Sequence, residues 1–113
     1  MRIQHQELAG GRWQELSFFE QMANIGSEVE RAIKWRQKNQ LDLSQKAVVR
    51  ALELLSLTIS SHLSHDSRLR ELLRVKECLL DTFLANNEYG SSDKSWQSYF
   101  RVFTYAASVK AGR

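Results

Sequence analysis

Within the 113-residue chain, the side chains whose type and spacing come closest to a chemical site are His62, His65 and Asp66. Two imidazoles and a carboxylate within five residues could share a Zn²⁺ or Ni²⁺ ion. Both histidines fall in a short polar stretch, 60–67, with no further His or Cys nearby in sequence, so a solvated loop is the plainer reading. Cys78 is the lone cysteine. A nucleophilic thiol would need a base beside it and an accessible, electropositive setting. Its neighbours Leu79 and Leu80 point instead to a small packing residue. Glu28, Glu30, Glu77 and Asp81 lack the Glu-x-x-His pairs of di-metal bundles and the paired Glu-x-x-Glu and Glu-x-x-Asp of helical Mg²⁺ pyrophosphohydrolases. They read as solvated or ion-paired. A glycine-rich phosphate loop is missing, as is the Arg-x(4 to 6)-His pair of HEPN-like RNases. The expectation is a non-enzymatic protein with no catalytic residues, no cofactor, no metal site and no small-molecule substrate.

Charge carries more information. Residues 31 to 76 hold ten Lys/Arg against four Asp/Glu, a local balance of +6 in a chain whose net charge is +3. Lys34, Trp35, Arg36, Lys38, Lys46 and Arg50 interleave bases with an aromatic, a combination suited to phosphate contact and base stacking. They are the candidate nucleic-acid face. The alternative is internal: cations in the last turn of a helix complement its dipole, and Glu77 and Asp81 near the end of a third helix could meet them.

The elements that must position these residues are helices. Proline is absent, and the five glycines at 10, 11, 26, 90 and 112 leave 63 consecutive residues, 27 to 89, without a breaker. Apolar residues recur at helical spacing through Phe18, Met22, Ile25 and Val29, through Ala47, Val48, Ala51 and Leu55, through Leu69, Leu72, Leu73, Leu79, Leu80, Phe83 and Leu84, and through Trp96, Phe100 and Phe103. Ser17 with Glu20, Asp42 with Gln45, Ser67, and Ser92 or Asp93 are the expected caps. Similar lengths and short connections predict an all-α, antiparallel up-down four-helix bundle over 17–109, with residues 1–16 as a short N-terminal extension whose Trp13 and Leu16 dock on the bundle end. A glycine inside a helix costs about 1 kcal/mol relative to alanine. Ala23, Gly26 and Ser27 therefore suggest a close helix approach, either within the chain or from a second subunit.

An apolar run long enough for a membrane span is missing, and the N-terminus lacks the apolar core of a signal peptide, so the expectation is a cytoplasmic protein. Gly11-Arg12-Trp13 with Leu16-Ser17, the run Glu20 to Val29, Arg50 to Leu55, and Asn87-Glu88-Tyr89 together resemble a family of short prokaryotic all-helical proteins known as conserved hypotheticals. The resemblance covers roughly residues 10–107. It implies an all-helical fold and transfers no activity, ligand or catalytic residue. In size, charge and shape the chain is also similar to basic four-helix-bundle proteins encoded within 23S rRNA genes and to accessory proteins of diversity-generating retroelements. With eleven aromatics and wide apolar stripes, the first expectation is an interaction or scaffolding protein that forms a homo-oligomer. The alternative is binding of RNA or DNA.

Overall fold

The computed structural model describes residues 11–110. A 3-10 turn, Trp13–Glu15, precedes four helices: α1 (Phe18–Gln37), α2 (Leu41–Ser61), α3 (Asp66–Leu84) and α4 (Asp93–Lys110). The all-α bundle read from periodicity is the observed architecture, and the described residues contain no strand. None of the described helices is long and apolar enough to cross a membrane.

Polar side chains punctuate the helices, though not always those expected. Ser17 Oγ accepts the Glu20 N–H at 3.1 Å and Glu20 Oε1 accepts the Ser17 N–H at 2.9 Å, the reciprocal box that starts α1. Asn39, at φ 60°, turns the chain after α1 in the left-handed region that asparagine tolerates. The Gln40 N–H then donates to the Trp35 carbonyl at 2.9 Å, and α2 restarts at once from Gln40 without a side-chain cap. So tight a connection puts Asp42 inside the first turn, where it complements the dipole instead of capping. At α3 the expected Ser67 cap gives way to His65, whose Nδ1 accepts the Arg68 N–H. Ser92 and Ser95 exchange hydroxyl and N–H bonds of 3.0 and 2.9 Å at the start of α4.

Cross-links between helices set the antiparallel register. Ser44 Oγ donates to the Ala32 carbonyl at 2.8 Å and ties the beginning of α2 to the end of α1. Arg36 meets Asp93 where α1 ends and α4 begins. Tyr99 Oη donates to Glu71 at 2.6 Å and Trp96 Nε1 to Thr82 at 3.4 Å, joining α4 to α3. The shared core takes Met22, Ile25, Val29 and Ile33 from α1, Ala51, Leu54 and Leu55 from α2, Leu72, Val75 and Leu79 from α3, and Trp96, Phe100 and Phe103 from α4. Each large apolar side chain buried contributes about 1.5–3 kcal/mol. That packing, more than propensity, keeps helices of this length folded.

Gly26 explains itself here. A Cβ at this position would stand 2.8 Å from Phe100 Cβ and Cγ, so the close approach is intramolecular, between α1 and α4. Ala23 is half-buried and Ser27 is exposed. The close approach thus centres on Gly26.

Candidate interaction surface

The structure divides the six residues of the expected nucleic-acid face. Arg36 Nη2 lies 2.6 Å from Asp93 Oδ1, and its guanidinium covers the Phe83 ring at 4.4 Å. Arg50 Nε sits 3.2 Å from the carboxylate of Glu28, which also accepts from Arg31 at 3.0 Å. Lys34, Lys38 and Lys46 are exposed, and the Lys38 ammonium lies 5.5 Å from the centre of the half-buried Trp35 ring. The carboxylates that meet these cations are therefore Asp93 and the buried Glu28, not Glu77 and Asp81. The reason is topological. The start of α4 reaches the end of α1, whereas Asp81 accepts the backbone N–H groups of Glu88 and Tyr89, and Glu77 is exposed on α3.

His62 and His65 do not converge. His62 Nε2 is 3.0 Å from Gln21 Oε1 and its ring stands edge-on to Phe18, while His65 caps α3. Among the described residues, no group of three His, Cys, Asp or Glu is arranged to hold a metal ion. His62 belongs instead to a polar chain that seats the N-terminal segment. Trp13, fully buried, donates from Nε1 to Thr58 Oγ1 at 3.0 Å, and Gln21 Nε2 donates to the Trp13 carbonyl at 3.0 Å. With its amide nitrogen committed, Gln21 offers Oε1 as an acceptor, which selects the His62 tautomer protonated at Nε2. Burial first, then the charge of Arg68 and then His65, hold the His62 pKa below its ordinary value. Trp13 and Leu16 thus close the bundle end; the part of the N-terminal extension before residue 11 lies outside the described residues.

Helix α3 separates the neighbouring apolar lines that its residue spacing suggests. Leu72, Val75, Leu79 and Thr82 face the core, but Leu73, Leu80 and Leu84 are 47%, 37% and 49% exposed. They form a second apolar line, turned away from the core. Beside it, Arg70, Arg74, Glu77 and Asp81 fall at steps of four, three and four, so they share one helical line. Arg70, Leu73, Arg74, Lys76, Glu77 and Leu80 border a shallow depression on this face. The signal was present in the spacing. A helix with apolar residues at both i and i+1 must turn one of them away from a core on one side only, and the sequence alone does not say which. On the other flank of α3, Cys78 is half-buried and lines a groove toward α4 with Trp96 and Tyr99. The Tyr99 phenol is held above its ordinary pKa by burial and by its hydrogen bond to Glu71. It therefore stays protonated.

Nothing among known family models, curated proteins or solved structures matches the chain. Its own residues must carry the functional argument.

Proposed function

We propose that this is a non-enzymatic, cytoplasmic helical interaction protein that self-associates through the outer face of α3. The observation that carries the reading is the row Leu73, Leu80 and Leu84, exposed on a helix whose opposite side already fills the core. Large apolar side chains grouped along one surface line mark interaction sites more often than isolated ones do. The free Cys78 suits a reducing compartment. Sedimentation velocity over a wide concentration range tests the reading. The wild-type chain should shift from monomer to oligomer as concentration rises, and Leu73→Glu/Leu80→Glu should stay monomeric with unchanged far-UV circular dichroism. A wild-type chain that is monomeric throughout overturns it.

Nucleic-acid binding is the second reading, supported by the exposed Lys34, Lys38 and Lys46 and by Trp35, whose ring Lys38 approaches. With Arg36 and Arg50 committed to Asp93 and Glu28, these three lysines set the limit of the salt response. Log affinity should fall against log salt with a slope no steeper than about −3. Fluorescence anisotropy with single- and double-stranded RNA and DNA at about 50 mM salt, where phosphate contacts are strong, is the test; no binding removes the reading.

A further inference from the structure

We infer that the second copy lies antiparallel across α3, related to the first by a two-fold axis near residues 76 and 77. This rests on the self-association proposed above and adds to it the geometry and the residues that meet. The charges along the line Arg70, Arg74, Glu77 and Asp81 run plus, plus, minus, minus from the N-terminal to the C-terminal end. Beside them run Leu69, half-buried, and the exposed Leu73, Leu80 and Leu84. Reversing α3 about a point between residues 76 and 77 sets Leu73 against Leu80 and Leu69 against Leu84. To within two residues, about 3 Å along the helix, it also sets Arg74 against Glu77 and Arg70 against Asp81. An isologous interface demands this kind of self-complementarity, because residue i meets j while j meets i.

The flanks decide the direction. Two antiparallel helices bring the same flank of each into contact, so the arginines of one copy face the carboxylates of the other. A parallel two-fold pair brings opposite flanks together, which would set Arg74 near Lys76 and leave Arg70 without a carboxylate, whereas the antiparallel pair carries one like-charge contact, Lys76 with its own copy at the axis. Within one copy, Arg70, Arg74 and Glu77 are exposed and form no ion pair among the described residues. Asp81 is held in place at the end of the line by the two N–H groups it accepts. The depression bordered by Leu73, Lys76, Glu77 and Leu80 lies at the proposed axis, where no leucine fills the apolar line.

Cysteine cross-linking separates the geometry from the association itself. In a Cys78→Ser background, Glu77→Cys lies beside the axis, within reach of its own copy, and should give a covalent dimer on oxidation. Leu84→Cys should not, because at 1.5 Å per residue its counterpart lies about 22 Å away along the helix. Arg74→Glu should weaken self-association about tenfold by sedimentation, and Arg74→Glu/Glu77→Arg should restore it. A chain that is monomeric at every concentration removes the self-association and this geometry with it. An oligomer in which Leu84→Cys cross-links as readily as Glu77→Cys, or in which Glu77→Cys does not cross-link, keeps the association and overturns the antiparallel arrangement.

Discussion

Phe100 packs over Gly26 so closely that a Cβ on residue 26 would stand 2.8 Å from both its Cβ and its Cγ. Phe100 is buried, and those two atoms are the root of its side chain, so little can swing aside. Gly26→Ala should therefore destabilise the protein by about 1–3 kcal/mol through overpacking, against the roughly 1 kcal/mol that alanine gains in helix propensity. Urea unfolding checks the net sign. Combining Gly26→Ala with Phe100→Ala should cost less than the sum of the two single changes, since the clash disappears with the ring.

Thr58 anchors Trp13 to the bundle end. Replacing it by valine keeps the shape and strands a buried indole N–H, at a cost of about 1–3 kcal/mol. Thr58→Ser, which retains the acceptor, should cost clearly less in the same unfolding experiment. A loss for Thr58→Ser larger than for Thr58→Val would mean that the methyl group, not the hydroxyl, holds Trp13.

Stability should depend on the protonation of His62. Its folded-state pKa is lowered by burial and then by Arg68 and His65, so as pH falls the unfolded chain takes up the proton first. The contribution is complete above the ordinary histidine value of about 6.5 and is lost as pH drops from there through the folded value. Urea midpoints measured from neutral to mildly acidic pH should fall across that window. His62→Gln should flatten this part of the profile; an unchanged slope would assign it to other groups.

Glu28 is 5% exposed and accepts from both Arg31 and Arg50. Removing the carboxylate leaves the half-buried Arg50 without its partner across α1 and α2. Glu28→Ala should cost about 1–3 kcal/mol, less than for a fully buried pair because Arg50 retains water. A double-mutant cycle with Arg50→Ala should recover a favourable coupling energy. Zero coupling would reduce Glu28 to a packing residue.

Fold class and most helix limits were legible in the sequence because they depend on local physics. Period-3.6 apolar spacing, the Ser17 and Glu20 pair, and the absence of proline each act within one or two turns of chain. Where the local rule had a competitor, tertiary context decided. Asp42 lost its cap to a three-residue connection, and Ser67 lost its own to the His65 imidazole.

The sequence by itself determined that this chain makes four amphipathic helices, that Gly26 needs a close neighbour, and that positive charge gathers in the middle. Only the tertiary structure decided which neighbours those features meet: Phe100 for Gly26, Asp93 and Glu28 for the arginines, and solvent for Leu73, Leu80 and Leu84. Spacing constrains the angle of a residue around its own helix. The rotation of each helix against the others is set by long-range packing of side chains tens of residues apart, which no local pattern encodes.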